Sequence, residues 1–196
     1  MKKIYSPLTL EQIEKLKAGD ELFLDGIIYT ARDQAHQKMV EAIAKNKGLP
    51  FDIKGAVIYY CGPAKTPTGK AAVSSTALGV DSECRRVIGS CGPTTSSRMD
   101  KFTEPLLENG LKGMIGKGNR CQKVVQAVKR HKAVYFLTYA GCGALLTKFV
   151  RSARIIAYRE LGPEAIHELK VENFPLIVGI DSRGRNVFAR VNKKES

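Results

Sequence analysis

Short apolar runs alternate with amphipathic segments along most of this chain. Runs of apolar and β-branched residues predict strands at 21–24, 27–30, 56–60, 113–116, 133–139, 154–158 and 175–181. Segments with apolar residues at helical spacing, or with helix-starting residues, predict helices beginning near Thr9, Asp33, Thr103 and Gly141, and a further helix marked by Val124, Val125 and Val128. This alternation predicts an α/β domain with a mixed central sheet flanked by helices.

Turn-forming and helix-breaking residues lead to five further local predictions. Asp25-Gly26 separates two apolar runs, which predicts a tight β-hairpin. Residues 87–90 predict a short strand ended by a proline, 163–169 a helix with proline near its start, and 186–189 a final strand. Segment 64–86 is rich in Thr, Ser, Gly and Pro at first, and it predicts an extended surface loop.

Length and composition indicate an ordinary globular protein. The chain has 196 residues, of which 43% are hydrophobic and 26% charged, so we expect a single domain spanning 1–196. No apolar run is long enough to span a bilayer, and the first residues lack the apolar core of a signal peptide. We therefore expect no membrane association and a cytoplasmic location.

The charge balance indicates an anionic partner. There are 32 basic and 19 acidic residues, giving a formal net charge of +13. The basic residues are spread along the chain, and the seven Phe and seven Tyr do not interleave with them as on a base-stacking surface. Nucleic acid is therefore not the favoured partner, although a non-catalytic module that binds anions or nucleic acid stays an alternative.

The five cysteines do not indicate a metal site within this chain. Their number is odd, and no pair forms a C-x-x-C motif, so we expect reduced thiols. Their spacing matches no zinc or iron–sulfur ligand pattern. They are Cys61, Cys84, Cys91, Cys121 and Cys142.

The segment 92–100, with the sequence GPTTSSRMD, is the first candidate site. A strand, a proline, four hydroxyl residues and a helix start follow one another, which is a way to build an anion site. Arg98 lies one helical turn after Thr94, so both side chains can face one ligand. The alternative is a Ser/Thr-rich helix cap beside a solvated arginine.

Two more cations occupy similar positions. Arg32 stands at a predicted strand-to-helix junction, where open sheets carry sites. Lys117 lies between two glycines after a predicted strand, which leaves its ammonium group uncovered. The alternatives are a surface arginine beside a helix cap and an ordinary tight turn. His36, on the first turn of the same helix as Arg32, is interpreted as a buried, satisfied histidine.

Six motifs in this order resemble the beta subunit of iron–sulfur-dependent hydro-lyases, the class I fumarases and L-tartrate dehydratases. The resemblance covers residues 19–188, and it is most similar to the beta subunit of a two-subunit fumarase or the C-terminal domain of a single-chain one. The motifs are TARDQAH, GPTTSSRMD, GMIGKGN, YAGCGAL, ELGPEAI and VENFPLIVGID. The resemblance implies a swivelling β/β/α domain that takes part in the reversible hydration of fumarate to L-malate.

The resemblance also implies roles for individual residues. Thr94 would be the catalytic hydroxyl, and Arg32, Arg98 and Lys117 would bind the carboxylates of a C4 dicarboxylate substrate. An alpha subunit, in a heterodimer or a dimer of heterodimers, would hold a [4Fe–4S] cluster, with no metal ligand in this chain. L-Tartrate dehydration to oxaloacetate is the alternative reaction. Segment 64–90 is longer than expected for the family.

Overall fold

The computed structural model describes residues 2–64 and 88–190, and within them a seven-stranded sheet forms the centre of the fold. Strands β1 to β5 run parallel to their neighbours, while β7 is antiparallel to β2, β5 and β6; the order is β1-β2-β3-β4-β5-β7-β6. The mixed α/β prediction is confirmed. The strands are β1 (Lys2–Ser6), β2 (Glu21–Thr30), β3 (Val57–Tyr59), β4 (Gly113–Gly116), β5 (Val134–Leu137), β6 (Val150–Ala157) and β7 (Ile166–Ile180).

Five α-helices and four short 3₁₀ segments connect these strands in the described part of the chain. The α-helices are α1 (Leu10–Glu14), α2 (Asp33–Ala44), α3 (Asp100–Glu108), α4 (Gln122–Arg130) and α5 (Gly143–Leu146). The 3₁₀ segments are Ser96–Met99, Thr147–Phe149, Arg159–Glu164 and Val187–Arg190. Thr9 caps α1 as predicted, because its hydroxyl accepts the Gln12 N–H at 3.3 Å.

Strand β7 closes the sheet on itself. Its residue Ile177 lies opposite Glu21 of β2 and also opposite Leu137 of β5, so β2, β3, β4, β5 and β7 form a ring. Alternate strand residues then face two separate cores. Val57 and Tyr59 of β3 pack inside the ring, while their neighbours Ile58 and Tyr60 pack outward against the helices.

The predicted hairpin at Asp25-Gly26 is wrong. Strand β2 continues through both residues, and its register against β7 shifts between Leu24 and Gly26, as at a β-bulge. Gly26 has φ +113°, and a Cβ there would lie 2.5 Å from the Ser6 carbonyl oxygen of β1. The glycine therefore permits a bulge and a close neighbouring strand, and it does not reverse the chain.

Three other local predictions are wrong. The predicted helix at 163–169 is a 3₁₀ end followed by the start of β7, because pairing with β2 and β6 satisfies that backbone. Of the predicted strand 87–90, residues 88–90 pair with no strand in the described ranges. Gly89 and Ser90 form isolated backbone hydrogen bonds with Ala64, and the Gly89 carbonyl also accepts from the Thr147 hydroxyl. The predicted strand 186–189 is one bridge at Asn186 followed by a 3₁₀ turn.

The predicted extended loop at 64–86 lies outside the described residues except for Ala64, as do Val87 and Cys84. Within the described ranges, no helix has the length and apolar character needed to cross a bilayer.

Candidate active site

The carboxyl ends of β2, β3 and β4 meet at one edge of the sheet. These strands are parallel neighbours, and their pairing continues just past the strand ends. The Ala31 N–H donates to the Tyr59 carbonyl at 3.1 Å, and the Tyr60 N–H donates to the Ile115 carbonyl at 2.8 Å. Arg32 and Lys117, which follow β2 and β4, therefore leave the sheet at the same edge.

The 92–100 segment is fixed to this edge through its backbone. The Thr94 N–H donates to the Tyr60 carbonyl at 2.7 Å, which places Thr94 at the end of β3. Thr95 forms a parallel bridge with Lys117, and the Ser96 N–H donates to the Lys117 carbonyl at 3.0 Å. Thr94 and Lys117 are thus carried by adjacent backbone segments, and both side chains are partly exposed.

Asp33 connects the two arginines. Its carboxylate accepts from Arg98 Nε at 3.0 Å and lies 2.9 Å from Arg98 Nη2, which is the side-on pairing of a guanidinium. Arg32 Nη2 lies 3.8 Å from the same carboxylate. The pairing takes only one edge of the Arg98 fork, so Nη1 and the outer proton of Nη2 stay available to a ligand.

Arg32 is held between two carboxylates. Its Nη2 lies 3.7 Å from Glu164 Oε1, and the other Glu164 oxygen accepts the Gln34 N–H at 2.9 Å in the first turn of α2. Gly62 makes room for the arginine, because a Cβ there would come within 3.0 Å of its Cδ. Arg32 Nε is buried, and within residues 2–64 and 88–190 nothing accepts its proton. A buried donor without an acceptor suits a site that receives an anion.

A buried arginine ties the two site loops together. Arg120 follows the Lys117 loop, and its Nε donates to Asp100 Oδ1 at 2.6 Å, just after the Arg98 loop. The same guanidinium donates to Thr103 Oγ1 at 2.6 Å and to the Tyr60 hydroxyl at 3.3 Å. The Arg120 side chain is 0% exposed and that of Asp100 15%, so this pair is shielded from water.

Gly116 allows these loops to approach closely. A Cβ at this position would lie 1.9 Å from Ser96 Oγ and 2.9 Å from a ring carbon of Tyr60. Ser96 Oγ in turn lies 2.8 Å from the Tyr135 hydroxyl and can donate to it, because Tyr135 donates its own proton to the Gly118 carbonyl at 2.8 Å. Burial raises the pKa of Tyr135, so its hydroxyl stays protonated and donates.

The imidazole ring of His36 forms a hydrogen bond with the backbone of Arg32. Its Nδ1 lies 2.8 Å from the Arg32 carbonyl, which can only accept, so Nδ1 carries the proton. Burial lowers the pKa of His36 to about 4, partly offset by this hydrogen bond. The ring is therefore neutral near pH 7. The prediction of a satisfied histidine holds only for Nδ1, because the buried Nε2 has no hydrogen-bond partner within residues 2–64 and 88–190.

The four predicted site residues thus fall into two pairs at one edge. Arg32 and Arg98 share Asp33, while Thr94 lies one residue before Thr95, which forms the backbone bridge with Lys117. Within the described ranges, no hydrogen bond or ion pair between side chains links one pair to the other, and no carboxylate lies within ion-pair distance of Lys117. Asp33, Glu164, Asp100 and Arg120 were not predicted as site residues. In the sequence, Asp33 and Asp100 are distinguished from other acidic residues only by lying in the same motifs as Arg32 and Arg98.

The charges at this edge favour a small dianion. Three cations face two carboxylates, and the first turn of the twelve-residue α2 adds positive potential. Guanidinium forks and an ammonium group can hold two carboxylates in fixed directions, and a threonine hydroxyl beside them can carry a proton. The arrangement can therefore bind and orient a dicarboxylate.

The described cysteines do not fit an iron–sulfur cluster. Cys61 and Cys91 form a buried thiol pair with their sulfurs 3.6 Å apart, while Cys121 and Cys142 are exposed on other loops. The hydrogen bond with Cys91, together with burial, raises the pKa of Cys61, which disfavours the thiolate that a metal needs. In the part of the chain that the structure describes, the one group of three potential metal ligands is Glu104, Glu108 and His131, which contains no cysteine.

A family model described as the fumarase C-terminus matches residues 2–191, so the chain belongs to the fumarase C-terminal family. This agrees with the resemblance identified from the motifs.

Individual relatives carry two kinds of name. A Methanocaldococcus jannaschii protein, provisionally named an L(+)-tartrate dehydratase subunit beta, is 36% identical over 99% of this chain and 94% of its own length. The aerobic class I fumarate hydratase of Escherichia coli K12 is 37% identical over 93% of this chain. The anaerobic enzyme of the same strain is 36% identical over 95% of it. The chain spans about 31% of each of these two fumarases. Fumarate hydratases and tartrate dehydratases are hydro-lyases.

Proposed function

We propose that this chain is the beta subunit of a two-subunit hydro-lyase that hydrates fumarate to L-malate, acting as one domain. The observation that carries the proposal is the meeting of Arg32, Thr94, Arg98 and Lys117 at the carboxyl edge of three adjacent parallel strands. Family membership supports it, because relatives with this domain are named for hydration and dehydration of small hydroxy acids.

Substrate binding falls to the three cations. Arg98 presents its end-on edge to one carboxylate while Asp33 holds the opposite edge. Arg32 offers its buried Nε, and Lys117 offers an ammonium group from the backbone segment that is bridged to Thr95, the residue after Thr94. Two carboxylates held from several directions fix the orientation of the planar alkene, and such positioning can account for several kcal/mol of barrier reduction, up to ~7–11.

Thr94 handles the proton on carbon. In the hydration direction its hydroxyl hydrogen passes to one alkene carbon while the oxygen of water bonds to the other, and the proton that this water gives up returns to Thr94 Oγ1. In dehydration the alkoxide removes that proton, and the neighbouring cations stabilise the negative charge on Oγ1. A threonine is a weak base by itself, so the closeness of Lys117 to its backbone is part of the proposal.

The remaining parts of the enzyme belong to a second polypeptide. The cysteines of this chain that the structure describes do not form a cluster site, and the chain covers about a third of the single-chain fumarases. We therefore assign a [4Fe–4S] cluster, which would act as a Lewis acid on the substrate, to an alpha subunit. The complex would be a heterodimer or a dimer of heterodimers.

L-Tartrate dehydration to oxaloacetate is the second candidate. The Methanocaldococcus jannaschii relative with the tartrate dehydratase name matches this chain over 94% of its length, as a separate subunit would. The motif TARDQAH favours fumarate. Both substrates are C4 dicarboxylates, and the same three cations would bind either of them.

Reconstitution with the alpha subunit tests the proposal. We expect the anaerobically assembled pair to hydrate fumarate, and we expect this chain alone to be inactive even after cluster reconstitution. Turnover of L-tartrate but not fumarate would select the second candidate. Turnover of neither substrate, or robust turnover by this chain alone, would contradict the proposal. If the pair turned over neither substrate and this chain bound nucleic acid with a steep salt dependence, the non-catalytic binding module would replace the hydro-lyase proposal.

A further inference from the structure

Residues 139–145 form an exposed, uncharged surface next to the candidate site. Tyr139 and Leu145 are each 46% exposed, and most of the small residues between them are exposed as well. None of the seven side chains carries a formal charge, although the whole chain has a net charge of +13. We call this surface the 139–145 patch.

The patch is held rigidly against both site loops. On one side, the Thr138 N–H donates to the Gly116 carbonyl at 3.2 Å, one residue before Lys117. On the other side, the Cys91 N–H donates to the Gly143 carbonyl at 3.2 Å, three residues before Thr94. A Cβ on Gly143 would lie 2.8 Å from the Gly92 nitrogen, so the two backbones are in close contact.

An apolar surface of this kind is costly to leave in water and is typical of an interaction site. The lengths of the relatives indicate what covers it. The domain makes up 94% of a protein named as a beta subunit, but only about 31% of the E. coli fumarases, where the rest of the chain is covalently attached. A separate beta subunit must bind the equivalent of that remaining part without a covalent link.

We propose that the 139–145 patch is the apolar centre of the interface with the alpha subunit. This inference rests on the proposed function, because it takes the alpha subunit as the partner. A stable interface covers about 800 Å² on each side. Seven residues supply only part of that area, and the cationic site loops that flank the patch extend it. Docking here places the partner directly over Thr94 and Lys117.

Two matched leucines test the patch through binding. Leu145→Asp introduces a charge into the patch, while Leu10→Asp makes the same change at a leucine of α1 that is 53% exposed. We expect Leu145→Asp to weaken binding of the alpha subunit by more than about tenfold, and Leu10→Asp to change it by less than about threefold. Equal effects of the two substitutions would overturn the assignment.

Two exposed cysteines provide a readout that needs no substitution. Cys142 lies within the patch, and Cys121 lies at the start of α4. With N-ethylmaleimide and site-resolved mass spectrometry, we expect the modification rate of Cys142 to fall more than about tenfold when the alpha subunit binds. The ratio of the Cys142 rate to the Cys121 rate should fall as well. An unchanged Cys142 rate in the complex would contradict the proposal.

The failure of this inference can be told apart from that of the proposed function. A pair that binds through the patch but turns over neither substrate removes the hydro-lyase proposal and leaves the interface. An active pair in which Cys142 is not protected removes the interface and leaves the hydro-lyase proposal. A chain that dimerises alone and becomes monomeric with Leu145→Asp would show that the patch binds a second copy, and the inference would be wrong.

Discussion

The pair between Asp100 and Arg120 is a buried side-chain link between the two loops that carry the candidate site, and it adds to their backbone hydrogen bonds, so its removal is an informative stability experiment. Asp100 Oδ1 accepts from Arg120 Nε at 2.6 Å, and Oδ2 accepts the Cys121 N–H at 2.9 Å. Asp100→Asn keeps the shape of the side chain but removes its charge and one acceptor. Arg120, with a fully covered side chain, is then left with an uncompensated charge.

The expected magnitude follows from burial and from the contacts that remain. Removing one partner of a buried ion pair costs about 3–5 kcal/mol. Arg120 keeps its hydrogen bonds to Thr103 and Tyr60 and stacks on the rings of Tyr60 and Tyr135, so the lower end applies. We expect the free energy of unfolding to fall by about 3 kcal/mol, and the melting temperature to fall by roughly 6–12 °C.

Urea denaturation of the purified chain measures this change, and a matched control isolates it. Glu172→Gln removes the carboxylate of an exposed pair with Arg151, about half of each side chain being in water, and should cost less than about 1 kcal/mol. In a double-mutant cycle with Arg120→Met, we expect a coupling energy of at least about 2 kcal/mol. If Asp100→Asn destabilised the chain no more than Glu172→Gln does, the pair would not hold the loops together.

Four further predictions concern the site. Thr94→Val should lower kcat of the reconstituted pair at least about 100-fold with little change in KM, whereas Thr95→Val at the exposed neighbouring position should stay within about threefold. Arg98→Lys keeps the charge but loses the fork held by Asp33, so kcat/KM should fall about 10–100-fold in steady-state assays. Gly116→Ala should destabilise the chain by at least about 2 kcal/mol in urea, because its Cβ meets Ser96 Oγ. His36 is neutral when folded, with a pKa of about 4, but takes up a proton near pH 6.5 when unfolded. Stability should therefore fall by about 3 kcal/mol as the pH drops from 6.5 to 4, and His36→Asn should remove that slope.

The sequence predicted the strands that are buried on both faces and the helices with clear apolar stripes. The run around Val57–Tyr59 and the valines of α4 are found where the pattern placed them. It failed where tertiary contacts override local preference. The sequence around Gly26 predicts a turn, but Gly26 lies in a β-bulge beside β1. Residues 166–169 fit a helical pattern, but they belong to β7 and pair with a strand on each of its two sides.

For the site, the sequence predicted residue types and strand-end positions, while their partners required the fold. Arg98 and Asp33 are 65 positions apart, and only the parallel packing of β2 and β3 brings their loops together. From the sequence, Arg120 could not be distinguished from the exposed basic residues, because its burial depends on Tyr60, Tyr135 and Asp100 surrounding it. The catalytic and substrate-binding roles of Arg32, Thr94, Arg98 and Lys117 stay predictions.

Steady-state kinetics of Lys117→Met in the reconstituted pair test the central claim most directly. Lys117 has no carboxylate partner in the described ranges, so its removal should leave the fold intact. The account predicts a loss of at least about 100-fold in kcat/KM for whichever C4 dicarboxylate the wild-type pair turns over, with unchanged melting temperature. The matched variant Lys123→Met, on the first turn of α4, should behave as wild type. Equal kcat/KM values for the two variants would show that the edge formed by β2, β3 and β4 is not where the substrate binds.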